Sequence, residues 1–414
     1  MTVCVSRRAA LALAPLAMAF LAGGAAPRSP DLRGSRVRYM PIDGQSNAYN
    51  PPSGAISPFA GLPPAADAFG FANYFAQRGP KPADVSRMDR LSVLQDHARA
   101  NASLAVLLAH ALAGGGPARL WNTTGQGARP LGTFLPGGTC WDNALTAARQ
   151  ARQVIEQSGG QAELGPYVFV HGETGPHSPV YETLLRQFAA AIRPAIAQAF
   201  GAPSMPPLML VQINEAEDAG DHTWPAQSQY KVARDTPGVH LACPLYYAPL
   251  HDLSHTTLPG RVMFAAALAD AIATLEQTGQ WQPLWPTSVK RQGAVIRVRF
   301  HVPYGGALAI DQDWVRPTPN YGFQFTDDSG APPPISAAAI SGRDEVTVTL
   351  AAEPRGGNPR LRYAWLNDLD HDGWSGGRGQ VMTVTSKRSP FLELGLGVPE
   401  QLRHYAVRFE EPCS

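Results

Sequence analysis

Residues 37–47 read VRYMPIDGQSN, an apolar stretch that ends in a glycine and a run of polar side chains. The apolar part, residues 37–42, predicts a buried β-strand. Gly44 permits a tight turn that lifts the Ser46 hydroxyl above the sheet and aims the Ser46 backbone N–H at a reacting oxygen. The same residues also fit an ordinary strand-to-helix turn with a serine cap, so the turn alone does not decide between the two readings.

The chain on either side of this turn alternates short apolar strands with amphipathic helices, from residue 36 to residue 279. Further strands are predicted over residues 118–122, 167–171, 207–213 and 239–243, and helices over residues 104–112, 143–157, 181–200 and 259–275. Strands that alternate with helices favour a parallel sheet covered on both faces. Residues 50–100 are rich in Pro, Gly and Ala and show little periodicity, so we predict a long excursion over the top of the sheet.

The pattern changes after Trp281. Short predicted strands at residues 294–302, 306–310, 346–350 and 405–409 are separated by Pro and Gly turns, and no strong helix is predicted. We therefore predict an α/β hydrolase domain over residues 35–279, followed by a small antiparallel, β-sandwich-like domain over residues 287–412.

Composition narrows the classes of partner. Lys and Arg number 34 against 33 Asp and Glu, so the 414-residue chain has no basic surplus and nucleic acid is not expected as its main partner. Arg7 and Arg8 precede an apolar run over residues 9–21 and small residues over 22–26, which is typical of a secretory signal peptide. We expect a periplasmic or secreted protein without a membrane anchor once residues 1–26 are removed; an uncleaved anchor is the alternative.

Cysteines are few in the expected mature chain. Cys140, Cys243 and Cys413 allow at most one intramolecular disulfide. A Cys140–Cys243 bridge is compatible with an oxidising compartment, and the sequence leaves it open.

A second polar motif precedes the last predicted helix of the α/β region. Asp252 and His255 lie three residues apart on a turn, and Gly260 follows. A carboxylate can fix the tautomer of the imidazole, which leaves the other nitrogen free to take a proton from Ser46. An isolated Asp-x-x-His motif more commonly marks a capped helix start.

Two further motifs follow predicted strands. His171 and Glu173, separated by Gly172, come after the strand at 167–171 and either position a donor for an oxyanion or cap the next helix. Gly125 and Gly127 lie in a loop after the strand at 118–122, which is suited to offering a backbone N–H to the same oxyanion.

Together these motifs resemble the SGNH hydrolases, in particular the branch of sialate O-acetylesterases and related carbohydrate acetylesterases. The resemblance covers roughly residues 37–275 and rests on Gly44-Gln45-Ser46-Asn47, Gly125-Gln-Gly127, His171-Gly172-Glu173 and Asp252-x-x-His255 with Gly260. His171 stands where the branch usually has Gln.

The resemblance implies a flavodoxin-like three-layer α/β/α fold and an esterase that uses Ser46, His255 and Asp252 without a metal or cofactor. It also implies an acylated carbohydrate as substrate, with acetyl as the acyl group. The oxyanion and substrate residues would be Gly127 (or Gly125), Gln45, His171 and Glu173.

Three alternatives stay open. The motifs His171-x-Glu173-x-x-x-His177 and His251-Asp252-x-x-His255 are rich in metal ligands, although neither forms a His-Glu-x-x-His helix. A carbohydrate-binding module that keeps the fold without the chemistry is the second. Separately, Asp368, Asp370 and Asp372 resemble the first half of a calcium loop, but Gly379 stands where the final Glu belongs, so an Asx-rich turn competes with a weak Ca²⁺ site.

Overall fold

A computed structural model describes residues 30–49, 67–72, 84–94, 103–174, 178–214, 224–252, 254–365 and 378–413. The predicted signal peptide, the acidic motif of Asp368, Asp370 and Asp372, and His177 lie outside these residues.

A mostly parallel, eight-stranded sheet forms the centre of the α/β region. Its strands are β1 (Arg36–Gly44), β2 (Ala68–Phe71), β3 (Leu91–Val93), β4 (Ala118–Thr123), β5 (Gln161–Leu164), β6 (Tyr167–Val170), β7 (Leu208–Gln212) and β8 (Val239–Pro244). The order is β3-β2-β4-β1-β6-β7-β8, with β5 paired to the first half of β1 and only β3 antiparallel. Strand β1 therefore lies in the middle of the sheet, and its carboxyl end places Ser46 at the centre of one edge.

Six α-helices accompany this sheet in the part of the chain that the structure describes. They are α1 (Ser46–Tyr49), α2 (Leu104–Ala111), α3 (Thr139–Gln157), α4 (Val180–Phe200), α5 (Trp224–Asp235) and α6 (Leu258–Thr278). Helix α2 packs against α6, while α4 packs against both α3 and α5. The predicted mixed α/β architecture with a mainly parallel sheet is confirmed.

Helix α6 is apolar on nearly every side and belongs to the core. By length and composition alone it is the one helix among the described residues that could cross a membrane, but 78% of its most apolar window is buried inside the protein. Helix α2 and strand β8 pack against it.

The described residues after α6 form three antiparallel sheets. Their strands are β9 (Trp285–Gln292), β10 (Val295–His301), β11 (Leu308–Ile310), β12 (Phe323–Thr326), β13 (Ile335–Ile340), β14 (Glu345–Leu350), β15 (Arg360–Tyr363), β16 (Val381–Arg388), β17 (Gln401–Tyr405) and β18 (Phe409–Pro412). The sheets have the orders β13-β14-β10-β9, β11-β16-β17 and β12-β15-β18. The predicted β region after the α/β region is confirmed, with more strands than the sequence indicated.

Buried polar contacts join the β region to the α/β region. The Gln212 side chain accepts from the Arg408 backbone N–H and donates to the Arg408 carbonyl, at 2.8 and 2.9 Å. The Tyr246 hydroxyl donates to the Ala406 carbonyl at 2.6 Å. Because buried polar groups without partners are costly, these bonds favour one fixed arrangement of the two regions.

The three cysteines that the structure describes are buried free thiols. Cys140, Cys243 and Cys413 each lie within the core, so the Cys140–Cys243 bridge that the sequence left open is not formed.

Candidate active site

The turn after β1 depends on glycine. Gly44 has a φ of +124°, and a Cβ built on it would lie 1.9 Å from the Val170 carbonyl oxygen. The next residue, Gln45, donates its backbone N–H to that same oxygen at 2.8 Å. Side-chain-bearing residues rarely adopt such a φ and would also clash here, so only glycine lets β1 turn tightly against β6. Helix α1 begins at once with Ser46, whose side chain is only partly buried.

Ser46, His255 and Asp252 form a continuous chain of hydrogen bonds. His255 Nε2 lies 2.7 Å from Ser46 Oγ, and His255 Nδ1 lies 2.8 Å from Asp252 Oδ2. Because an ionised carboxylate only accepts, Nδ1 carries the proton, and Nε2 is the acceptor that faces the serine hydroxyl. This arrangement allows His255 to take the Ser46 proton during nucleophilic attack.

Asp252 is held by the backbone of its own turn. Its Oδ1 accepts from the Ser254 and His255 N–H groups at 2.9 and 2.7 Å. Burial would raise the pKa of Asp252, but the bonds from Ser254 and His255 outweigh it and keep that pKa below its ordinary value. Asp252 therefore stays ionised and can stabilise an imidazolium on His255.

The loop before α6 fixes where His255 points. Thr257 caps α6 by accepting the Gly260 N–H on its hydroxyl at 3.3 Å, and its own N–H donates to the Pro249 carbonyl at 2.8 Å. A Cβ on Gly260 would come within 2.8 Å of the Pro249 carbonyl oxygen. The glycine therefore allows the helix start to pack against the loop that carries His255.

Asn47 links the nucleophile turn to the loop of the base. Its Nδ2 donates to Glu173 Oε1 at 2.7 Å and to the Ser254 carbonyl at 2.9 Å. From the other side, the buried Arg261 donates to Asn47 Oδ1 at 3.2 Å, to the Asn47 carbonyl at 3.3 Å and to Thr256 Oγ1 at 3.2 Å. The residue after the nucleophile is thus held between a cation and a carboxylate.

Burial shifts the pKa values of both charged groups around Asn47. It raises the pKa of Glu173, against the bond from Asn47, which lowers it. It lowers the pKa of Arg261 to about 10, against the attraction of Glu173, which raises it. Each charge therefore supports the other across the Asn47 amide.

Gln45 does not offer its side chain to a substrate. Its Nε2 donates to the Arg129 and Thr174 carbonyls at 3.0 and 3.3 Å, and its Oε1 accepts from the Gly172 and Thr174 N–H groups at 3.0 and 3.2 Å. Both donors and both acceptor positions of this amide are therefore used within the protein. Instead of the expected oxyanion or substrate role, Gln45 joins the loops around the site.

His171 is a buried structural group rather than the oxyanion or substrate residue that the sequence indicated. Its Nε2 lies 2.9 Å from the Arg129 carbonyl oxygen and its Nδ1 lies 3.1 Å from the Tyr181 hydroxyl. The Arg129 carbonyl can only accept, so Nε2 carries the proton and Nδ1 is an acceptor. The Tyr181 hydroxyl also lies 3.0 Å from the His171 carbonyl oxygen, so its one proton can be donated either to that oxygen or to Nδ1. Burial lowers the pKa of His171 to about 4, which keeps it neutral.

The glycine loop lies directly against the nucleophile turn. A Cβ on Gly125 would approach the Gly44 carbonyl oxygen to 2.7 Å, and the Gln126 N–H donates to that oxygen at 2.8 Å. Gly127 follows on a partly exposed turn, and Ala128 has a φ of +55°. Close backbone packing accounts for Gly125.

One buried acid near the nucleophile was not anticipated from the sequence. Asp43 Oδ2 accepts from the Tyr167 hydroxyl at 2.6 Å, and its Oδ1 accepts from the Gly44 N–H at 2.9 Å. Burial raises the pKa of Asp43 to about 7, although Tyr167 and Gly44 lower it. A single acid at the end of an apolar strand was the available signal, just as one Arg in an apolar helix was the signal for Arg261.

His251 lies beside the Asp252–His255 pair. Its Nδ1 lies 3.1 Å from Asp252 Oδ2. Possible ligand atoms of His251, Asp252 and His255 lie within 4.8 Å of one another. Of the two ligand-rich motifs in the sequence, this is the one that the described residues bring together; His171 is occupied elsewhere.

The comparisons with known proteins bear on the fold. No family model and no curated protein matches the chain. A carbohydrate acetylesterase from Xanthomonas citri aligns with a TM-score of 0.58 at 16% identity, covering 91% of this chain and 80% of that one. The two proteins share a fold. A protein from Arabidopsis thaliana aligns at 15% identity over 57% of this chain and 98% of its own, with a TM-score of 0.43.

Proposed function

We propose that the protein is a serine esterase that removes acetyl groups from a carbohydrate ester. The observation that carries the proposal is the hydrogen-bond chain from Ser46 Oγ through His255 to Asp252, at 2.7 and 2.8 Å. The acetyl and carbohydrate parts draw on the sequence motifs and on the fold shared with a carbohydrate acetylesterase.

In this mechanism Ser46 Oγ attacks the ester carbonyl while His255 Nε2 accepts its proton. Asp252 stabilises the resulting imidazolium through Nδ1–H. His255 then gives the proton to the leaving alcohol oxygen as the C–O bond of the ester breaks. Water, deprotonated by His255, attacks the acyl-enzyme and releases the acid, which restores the Ser46 hydroxyl.

Backbone donors would stabilise the tetrahedral oxyanion. We assign the N–H groups of Ser46 and Gly127 to this role, with Gly125 as the alternative. The support is positional, because the glycine loop packs on Gly44, two residues before the nucleophile. Gln45 and His171 hold the surrounding loops, and Glu173 positions Asn47.

The finer classification is part of the same proposal. The sheet order β4-β1-β6-β7-β8 is the flavodoxin-like order, which supports an SGNH-type domain over residues 35–279 and a β domain over residues 287–412. Residues 1–26 support export to the periplasm or beyond.

Acetate release is the direct test. Acetylated xylan, an acetylated sialic acid and an aryl acetate are incubated with wild type, Ser46→Ala and Ser254→Ala, each with and without EDTA. We expect release by wild type and Ser254→Ala, since Ser254 contributes backbone atoms to the site, and loss of release in Ser46→Ala. Folded wild type that releases nothing from any ester would favour the binding-module alternative, and activity lost in EDTA would favour a metal-dependent hydrolase.

A further inference from the structure

Asp252 is shared by two imidazoles. His255 Nδ1 and His251 Nδ1 lie 2.8 and 3.1 Å from the same oxygen, Oδ2. The His251 N–H also donates to the His255 carbonyl at 2.9 Å, and the two ring centroids are 5.7 Å apart. A Ser-His-Asp mechanism requires only one imidazole on the carboxylate, so His251 has no part in the chemistry proposed above.

The three side chains match the ligand preferences of a borderline-soft divalent cation. Zn²⁺ binds imidazole nitrogen and carboxylate oxygen at about 2.0–2.2 Å in tetrahedral sites, which places neighbouring ligand atoms roughly 3.3 Å apart. The two N···O distances are already close to that value, and the ligand atoms lie within 4.8 Å of one another. His251 and Asp252 are exposed and His255 is partly exposed, so an ion from solution can reach them.

We propose that His251, Asp252 and His255 form a binding site for Zn²⁺ and that the bound ion switches the esterase off. The second half rests on the proposed function, whereas the first does not. The fourth position of the ion would be taken by water.

Inhibition follows from the tautomer of His255. In the free site Nδ1 carries the proton and Nε2 faces Ser46 at 2.7 Å as an acceptor. An ion bound at Nδ1 needs the lone pair of that nitrogen, so the proton moves to Nε2. Nε2–H then donates to Ser46 Oγ and cannot accept its proton. An ion bound at Nε2 would block the same lone pair directly. The ion therefore removes the general base, in contrast to a catalytic zinc, which supplies a nucleophile.

Zn²⁺ binding is measured first, on the Ser46→Ala variant, because this measurement does not depend on esterase activity. Ser46→Ala is titrated with Zn²⁺ by calorimetry in a non-chelating buffer at pH 7.5, and again with His251→Gln added. Loss of one of three ligands should weaken binding by about 10- to 100-fold, at least as much as loss of an outer-shell partner costs. His110→Gln on helix α2 is the matched control and should bind as its parent does. Folding of each variant is checked by circular dichroism.

Inhibition is measured second, on wild type and His251→Gln, each relative to its own activity without metal. We expect Zn²⁺ to inhibit wild type reversibly, with recovery in EDTA, and His251→Gln to require at least about tenfold more Zn²⁺, in line with the binding loss. Absence of Zn²⁺ binding, or binding that His251→Gln leaves unchanged, would overturn the site. Zn²⁺ bound at this site in a fully active wild type would overturn the inhibitory role. Should the protein hydrolyse no ester, the calorimetric arm still decides whether the site exists.

Discussion

Replacing Arg261 with methionine should destabilise the protein and the site together. Arg261 is completely buried, and its three hydrogen bonds, at 3.2–3.3 Å, end on Asn47 and Thr256. Methionine fills similar space but leaves those acceptors unsatisfied and removes the cation that supports the Glu173 carboxylate. Removing one partner of a buried ion pair costs about 3–5 kcal/mol. Because the bonds are long and Arg261 reaches Glu173 only through Asn47, we expect the lower end, about 3 kcal/mol.

The measurement is urea unfolding at pH 7 of wild type, Arg261→Met, Glu173→Gln and the double variant. Arg297→Met is the matched control, since this exposed arginine pairs with Glu345 at 3.3 Å on the surface and its loss should cost less than about 1 kcal/mol. The double variant should lose less stability than the two single losses summed, since neither charge is then left unsupported.

Two results would contradict a stabilising role for Arg261. A loss for Arg261→Met no greater than that for Arg297→Met would mean that the buried cation carries no net stabilisation. Additive losses in the double variant would mean that Arg261 and Glu173 do not act through Asn47.

Three further perturbations test the buried groups. Burial lowers the pKa of His171 from 6.5 to about 4, so its contribution to stability is complete above pH 6.5 and is lost as the pH falls towards 4. In urea unfolding, the stability of His171→Gln should therefore rise by up to about 3 kcal/mol relative to that of wild type between pH 7 and pH 4. A stability difference that does not change with pH would contradict a buried, neutral His171. Burial raises the pKa of Asp43 from 3.8 to about 7, so the stability that Asp43 contributes is present below pH 3.8 and is lost as the pH rises towards 7. The stability of Asp43→Asn should therefore rise by up to about 4 kcal/mol relative to that of wild type between pH 4 and pH 8. A relative gain of the variant on acidification instead would contradict the raised pKa of Asp43. Asp270 accepts hydrogen bonds from His404 and Tyr304 at 2.8 and 2.6 Å, between the α/β and β regions. Asp270→Leu should lower the free energy of unfolding by about 3 kcal/mol and hasten proteolysis between the regions. Resistance to proteolysis equal to that of wild type would show that these contacts do not hold the regions together.

Short-range patterns carried most of the sequence prediction. Gly44 is required because its φ is positive and because a Cβ would clash with β6. Such a requirement is visible in a sequence as a glycine at the end of a strand. The carboxylate and imidazole three residues apart lie on one turn, so the 2.8 Å bond between Asp252 and His255 is local as well. Alternating strands and helices gave the mainly parallel sheet.

Long-range partners set the limits of that prediction. The sequence does not reveal that the two ring nitrogens of His171 contact the Arg129 carbonyl and the Tyr181 hydroxyl. Gln45 was misassigned for the same reason, because its partners lie in loops more than eighty residues away along the chain.

Helix α5 shows a different limit. Its buried face includes Gln227, Ser228 and Gln229, which are satisfied by hydrogen bonds, so no apolar stripe marked the helix. Strands β2 and β3 lie inside residues 50–100, where no strand was predicted. They are only four and three residues long, too short for an alternating pattern to be recognised.

Covalent labelling of Ser46 tests whether this serine is an activated nucleophile. Wild type, Ser46→Ala and Ser254→Ala are treated with a fluorophosphonate, which reacts with serines activated by a general base, and are then examined by intact-mass spectrometry and peptide mapping. We expect one adduct on wild type and on Ser254→Ala, located at Ser46, and none on Ser46→Ala. Folded wild type that stays unlabelled, or an adduct that persists in Ser46→Ala, would contradict a nucleophilic Ser46 activated by His255.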